Sequence, residues 1–446
     1  MREMTGLKQV AAARDLAGAT VHCTCGRDHR VQTRVLHVGE DALDQAVALI
    51  GPLGKPLLVA DENTWAASGQ ALADKLTAAG VAYNRVLLDP HGHADAAQLG
   101  RVIIAQQDAK VLVAVGTGTI NDTTRYAAFK VGAPYLVVGT APSMDGYASS
   151  VSPLLVDGFK ITYEAVAPEA VLADTDALIH APEKMIAAGY GDIMGKLTAL
   201  ADWRLAHVAT GEYICPDTVD FVARTVALCR ENCPEMAARK REGVGSLMEA
   251  LALSGLAMQM IGNSRPASGA EHHISHLWEM RDNMAGRPAA LHGDKVGVTT
   301  LLMIRMYEKF FGGQPPRVQP RPNQRRWLAD VERVFGPTAP TVVAQAEANA
   351  YTDAQRADQR DRVAARWADF AALAASLAAQ RQALTEEIAA LGGPVHPRDF
   401  GYTRQDTYDA LVYAKEVRPR YSLLRLMDAF GVLEDIAGEV ADDVWQ

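Results

Sequence analysis

VLVAVGTGTINDTTRYAAF, residues 111–129, passes from an unbroken apolar run through two glycines into a polar stretch at helical spacing. A strand without polar alternation reads as buried on both faces, which is the habit of a parallel sheet. Gly116, Thr117, Gly118 and Thr119 make the turn between the two elements. Glycine lets a backbone approach a ligand closely, and the start of the next helix offers unpaired amides and the positive end of a dipole to phosphate. The turn is neither GxGxxG nor the lysine-bearing P-loop, and an ordinary tight turn explains its glycines equally well.

Outward from this stretch the same alternation repeats. KPLLVADENTW, VAYNRVLLD, AKVLVAVG and PYLVVGT read as strands, with GQALADKLTAAG, DAAQLGRVIIAQQ and TINDTTRYAAFKVG as helices between them. This predicts an α/β domain with a Rossmann-like parallel sheet over residues 1–182. Ligands of such sheets collect at the carboxyl ends of the strands, so the DENTW, GTGT and TAPSMDG loops are expected to converge. In VVGTAPSMDGYASSVSP the small polar groups of Thr140, Ser143, Asp145 and Ser149 suit ribose, nicotinamide or substrate hydroxyls, although a turn with capping side chains gives the same pattern.

After residue 183 the strand pattern stops and helical spacing takes over, which predicts an all-α domain over 183–446. The proline-rich GGQPPRVQPRPNQRRW interrupts it, and residues 354–393 read as one or two long helices with an Ala-rich face expected to pack internally. A chain of 446 residues with 49% hydrophobic content can fill two cores. No run of about twenty unbroken apolar residues is expected to cross a membrane, and the start lacks a secretory pattern. The expected protein is soluble and cytoplasmic, without membrane insertion. A net charge of −9 argues against nucleic acid while leaving a small anionic ligand in a basic pocket open.

His272 and His276 stand four apart in SGAEHHISH, on one face of a predicted helix, and His292 follows in LHGDK. Asp192, in AAGYGDIMGKLTALADW, is expected at the start of an amphipathic helix with its carboxylate directed outward. Two imidazoles and one carboxylate leave coordination positions open, as catalytic sites require and closed structural sites do not. The alternative is chance clustering among twelve histidines. A facial triad of the iron oxygenases has the same donors but expects a β-sandwich-type scaffold.

Five cysteines are too few and oddly numbered for a disulfide framework, so reduced thiols are expected. HCTCGRDH brings His22, Cys23, Cys25 and His29 within eight residues, yet its spacing is not a common zinc-ribbon pattern. Cys229 and Cys233 are expected on one helix as packing groups.

Taken together, TAPSMDGYAS, GYGDIMGK, SRPASGAEHHISH, PAALHGDK and AKEVRPRYSLL resemble the glycerol-1-phosphate dehydrogenases, bacterial branch, over residues 59–420. That family lies in the superfamily of dehydroquinate synthase and the iron-containing alcohol dehydrogenases. The resemblance implies a dehydroquinate synthase-like fold, NAD(P)H, one divalent metal (zinc, nickel or iron) and a phosphorylated triose substrate. It implies Asp192, His272 and His292 as metal ligands, with His273 a close alternative to His272. His276, Asp145 and Asp192 are the implied catalytic, substrate-facing groups. The cofactor is implied to lie on Gly116, Thr117, Gly118, Thr119 and Ile120, on Thr140, Ala141, Pro142 and Ser143, and against Ser149, with Asp61 near the adenosine end. GTGT stands where archaeal members carry a GGG-type turn.

The implied reaction is the reversible, metal-dependent reduction of dihydroxyacetone phosphate to sn-glycerol 1-phosphate. Arg265 and Lys196 are the nearest charged candidates for its phosphate, and either can equally form an ordinary ion pair. Another polyol or alcohol dehydrogenase of the superfamily, a dehydroquinate-synthase-like cyclase, or a non-catalytic metal- and nucleotide-binding protein are the competing readings. A homo-oligomer, in the form of a homodimer, is the expected assembly.

Overall fold

The computed structural model describes residues 2–7, 10, 13–156, 159–288 and 290–446. Ala289, inside PAALHGDK, lies outside them. The chain forms two compact units: Met1–Ile193 with Cys215–Ala267, and Met194–Ile214 with Ser268–Gln446.

In the first unit the strands run β1 (Arg2–Thr5), β2 (Ala19–His22), β3 (Asp28–Arg30), β4 (Val35–Val38), β5 (Pro56–Ala60) and β6 (Asn84–Leu87). They continue with β7 (Val111–Gly116), β8 (Tyr135–Gly139), β9 (Val151–Val156), β10 (Phe159–Glu164) and β11 (Ala170–Ala173). The main sheet has six strands in the order β4-β11-β8-β7-β5-β6, and every pairing in it is parallel. β5, β7, β8 and β11 are buried along their whole length, which is why their sequences carry no polar alternation. Leu58, Val113, Leu136 and Leu172 form one face of its core, and the Ala42–Ile50 and Gln70–Ala78 helices cover them with Ala46, Ile50, Leu72 and Leu76.

β1, β2 and β3 form a separate small sheet, and β9 and β10 an antiparallel hairpin. Neither stood out from sequence: β1, β2 and β3 have only three or four residues each, and β9 is only partly buried. β4 and β11, of four residues each, were hidden by their shortness.

The same unit holds the Arg241–Ile261 helix, which is long and apolar enough by composition to cross a membrane although Glu249, Ser254 and Gln259 interrupt its apolar run. Its Leu247, Met248, Leu251 and Leu256 are fully buried, as in the core helix of a globular protein. Cys229 and Cys233 are buried but not on one helix. Pro234 ends the Pro216–Glu231 helix near Asn232 and opens a new turn at Cys233–Ala237.

Among its described residues the second unit is helical, and it has no named strand. The His292–Phe311 helix is buried on most of its circumference. Phe310 and Phe311, near its end, meet Trp367 at 5.2 and 4.6 Å between ring centroids, and Phe311 stacks on Phe370 at 5.4 Å. The long segment after residue 354 resolves into two helices, Asp353–Ala364 and Trp367–Ala390. The side chains of the second that face inward are Phe370, Leu377, Leu384 and Ile388 with Ala374, whereas Ala372, Ala375, Ala379 and Ala383 are exposed, so the buried stripe is not the Ala-rich face that had been expected.

Candidate active site

The three loops expected to converge follow β5, β7 and β8, which are adjacent parallel strands in the first unit. β5 connects outward to the edge strand β6, whereas β7 connects the other way, to β8. The two chains of connection diverge above the β5/β7 boundary, the place where doubly wound sheets take their ligands. Thr117 precedes the Gly118–Val131 helix without a side-chain cap, so the amides of that helix start are not consumed by Thr117. Asp61 precedes the Glu62–Thr64 turn, and its Oδ1 accepts the Thr64 N–H at 2.7 Å. One of its oxygens thus serves as a cap.

Arg125, which sequence reading passed over, fixes the loop after β8. Fully buried, it donates to the carbonyls of Gly146 and Val151 (the latter at 2.9 Å), to Asp122 Oδ1 at 2.7 Å and to the Tyr135 hydroxyl at 2.8 Å. Asn121 Nδ2 donates to the Gly146 carbonyl at 3.1 Å. These contacts hold TAPSMDGYAS in place, with Thr140, Ala141, Ser143 and Ser149 buried. No single-residue signal marks Arg125, since an arginine in a helix is ordinarily exposed.

Asp145 and Asp192 meet within the first unit. The Asp145 N–H donates to Asp192 Oδ2 at 3.0 Å, and Ser254 Oγ donates to Asp145 Oδ2 at 2.8 Å. Asp192 is not at a helix start, as had been expected, but in the last turn of the Glu183–Met194 helix; the break falls at Gly195. The glycines of GYGD are helical instead of helix-ending. Gly189 is there because a Cβ at its position would lie 1.8 Å from the Pro142 carbonyl oxygen. Only a side chain of hydrogen lets this helix come so close to the β8 loop, and that approach brings Asp192 to Asp145 one turn later.

The three histidines gather within the second unit. His272 and His276 sit on the Ala270–Met284 helix, and His292 is the first residue of His292–Phe311. Their ring centroids are 5.3 Å (His272 to His292), 5.4 Å (His276 to His292) and 6.2 Å (His272 to His276) apart. Each Nδ1 faces a carboxylate: Glu271 Oε1 at 2.8 Å from His272, Glu279 Oε2 at 3.2 Å from His276, and Glu279 Oε1 at 2.7 Å from His292. A carboxylate accepts, so each ring donates a proton through Nδ1 and is turned by the carboxylate behind it. This is the orientation that ligating histidines adopt.

Glu271 is itself buried and accepts from the Gly269 N–H at 2.6 Å and Thr198 Oγ1 at 2.8 Å. Burial pushes its carboxyl upward, but the His272 bond and charge with these donors outweigh that and hold it below its ordinary value. Asp202 accepts from the Ala270 N–H (2.7 Å), the Tyr307 hydroxyl (2.6 Å) and the Leu423 N–H (2.9 Å). Burial first and the Glu271 charge second push it up to about 6. Further along, Lys295 of LHGDK donates to Asp282 at 2.7 Å, and Tyr402 and Arg287 donate to the same carboxylate. This cluster locks the helix bearing His272 and His276 to the one bearing His292.

Glu279 was legible in principle, three residues after His276 on the same helix face. Glu271 was not, because a neighbour at i−1 gives no helical signal. His273 is buried on the helix beside His272, and the carboxylate partner Glu271 belongs to His272. Arg265 lies in the first unit and Lys196 in the second, both buried.

Residues 37–182 match the family described as iron-containing alcohol dehydrogenase. The chain is 32% identical to the glycerol-1-phosphate dehydrogenase (NAD(P)+) of Bacillus licheniformis, over 94% of each. It is 40% identical to that of Halalkalibacterium halodurans, over 64% of this chain and 74% of the relative. An iron-containing alcohol dehydrogenase from Corynebacterium glutamicum shares the fold at a TM-score of 0.60 and 16% identity, over 92% of this chain and 96% of that one. So does a probable glycerol dehydrogenase from Sinorhizobium meliloti, at 0.58 and 17%, over 91% and 97%. With the first relative matched nearly end to end, the chain belongs to the glycerol-1-phosphate dehydrogenase family.

Proposed function

We propose that the protein catalyses the reversible, metal-dependent reduction of dihydroxyacetone phosphate to sn-glycerol 1-phosphate with NADH or NADPH. The observation that carries the reading is the histidine group, in which three imidazoles converge and each Nδ1 is tied to a carboxylate that orients its ring. Such a donor set fits a divalent ion: Asp192, His272 and His292 would hold it, and zinc, nickel or iron all accept nitrogen and oxygen donors. When bound, the ion supplies Lewis acidity toward a carbonyl and the nicotinamide supplies hydride.

The remaining work falls to side chains. His276, oriented through Nδ1 by Glu279, holds at Nε2 the proton that the new alcohol takes up, directly or through water. Asp145, fixed by Ser254, orients a substrate hydroxyl, and Asp192 faces the substrate beside it. The buried cations Arg265 and Lys196 are the donors assigned to the substrate phosphate.

For the cofactor, the amides of Gly118, Thr119 and Ile120 at a helix start receive the pyrophosphate, with Gly116 and Thr117 forming the approach. Thr140, Ala141, Pro142, Ser143 and Ser149 line the nicotinamide side, and Asp61 uses its second oxygen toward the adenosine ribose. Cofactor binding is assigned to residues 1–182 and metal and substrate binding mainly to 183–446. Cytoplasmic location and assembly as a homodimer belong to the same reading, and light scattering of the purified protein tests the second.

The decisive experiment incubates metal-depleted and metal-reconstituted protein with dihydroxyacetone phosphate and NADH or NADPH while reduced cofactor is followed by absorbance. Turnover that appears only on reconstitution, with sn-glycerol 1-phosphate as the product, is expected. Reconstituted protein that oxidises neither cofactor with this substrate rules the proposal out.

A further inference from the structure

We propose that Cys23, Cys25, His29 and Cys215 form a second metal site, closed and structural, that takes zinc. All four belong to the first unit, and one donor atom from each lies within 4.8 Å of the others. Cys23 Sγ is 3.5 Å from Cys215 Sγ, and Cys25 Sγ is 3.4 Å from His29 Nε2. The edge of a tetrahedron built from zinc–thiolate bonds of about 2.3 Å is about 3.8 Å, so the cluster needs little movement to close on an ion.

Three further features prepare it. His29 Nδ1 lies 2.8 Å from the Met260 carbonyl oxygen, which only accepts. The ring proton therefore sits on Nδ1 and the Nε2 lone pair faces the thiols, the arrangement in which a backbone carbonyl orients a ligating imidazole. Cys23 and Cys25 sit on the turn between β2 and β3, closed by the Gly26 N–H on the Cys23 carbonyl at 3.1 Å. Gly26 has φ +82°, a backbone that glycine adopts freely. Cys215 immediately precedes the Pro216–Glu231 helix, and its Sγ accepts the Thr218 N–H at 3.4 Å. A helix start favours an anionic sulfur.

Three sulfurs and one nitrogen leave no position for substrate, which separates this set from the histidine group. Ordinary core packing accounts for a buried Cys215 but not for half-exposed Cys23 and Cys25 converging with an oriented imidazole. A disulfide between Cys23 and Cys215 would leave Cys25 and His29 without a role. The ion would pin the small β1-β2-β3 sheet to the start of the Pro216–Glu231 helix and, through His29, to the end of the Arg241–Ile261 helix. The sequence shows three of its ligands together in HCTCGRDH, and only the fourth, Cys215, is remote from them.

The test uses the reduced, full-length protein. Cobalt(II) added to metal-free protein is expected to give the near-ultraviolet thiolate-to-cobalt charge-transfer band, which the nitrogen and oxygen donors of the proposed catalytic site cannot produce. Protein purified from zinc-supplemented cells is expected to lose one zinc equivalent, by mass spectrometry of its metals, on Cys215→Ser. The same loss is expected for Cys25→Ser, whose turn position tolerates substitution if the buried variant fails to fold. Its melting temperature should drop by about 5 °C. Absence of the cobalt band together with unchanged zinc in the variants overturns the site, and so does a Cys23–Cys215 disulfide mapped in unreduced protein.

Discussion

The histidine group of the second unit and the cysteine–histidine cluster of the first both gather metal donors, yet they are built to opposite ends. Around the histidines, Glu271 and Glu279 orient every ring from behind, and a network of buried acids and helices supports them. In the proposed catalytic set the donors are nitrogen and, with Asp192, oxygen, too few to saturate an ion. The cysteine cluster has four donors of its own and a single backbone carbonyl behind its imidazole. Under the proposed roles, the spare coordination position, and not the mere presence of ligands, separates the site of chemistry from the structural one.

The comparison breaks most visibly at His292. His292→Ala should cut kcat/KM by about a thousandfold or more, a loss of several kcal/mol in transition-state stabilisation, while the cobalt–thiolate band of the other cluster persists. Equal loss of both signals would mean that the two sites are not independent. Asp192→Ala should behave in the same way. Next in size, Lys295→Met leaves Asp282 without its buried cation, though Tyr402 and Arg287 remain. Unfolding by urea should show a loss of about 3 kcal/mol.

Glu279→Gln sharpens the comparison by attacking orientation alone. An amide can still accept from one ring but cannot hold both, so metal affinity or turnover should fall about 10- to 100-fold. An unchanged metal content and pH profile would deny Glu279 this positioning role. The smallest effect is expected from Asp202, whose carboxyl titrates at about 6 in the folded chain against an ordinary 3.8. Between those values the folded state keeps a proton that the unfolded chain has released. The stability it contributes is therefore complete below about pH 4 and is lost as pH rises through about 6. The unfolding free energy of the native chain minus that of Asp202→Asn should accordingly fall by roughly 1–2 kcal/mol over this range. A flat difference would place the Asp202 carboxyl at its ordinary value.

Much of this architecture could be read from the chain before any coordinates. Apolar runs such as residues 111–115 sit in strands buried on both faces, where periodicity has nothing to contradict it. The i, i+4 histidines survived for the same reason: helical geometry is local. What escaped depends on groups distant along the chain. Asp192 was misplaced on its helix because Gly189 and Gly191 looked like breakers. Gly189 is instead a helical residue kept free of a side chain by the closeness of the Pro142 carbonyl, a group far away in sequence. Arg125, Glu271 and Cys215 were invisible as site-builders for that reason too, since their partners lie in other segments.

Glu279 spends one oxygen on His276 and the other on His292. Under the proposed roles, proton delivery and ion retention thus share one steering group. Evolution or engineering cannot retune the acidity of the first ring without disturbing the grip of the second. Attempts to shift the pH optimum of this enzyme by substitutions around His276 will drag its choice of transition element along with them.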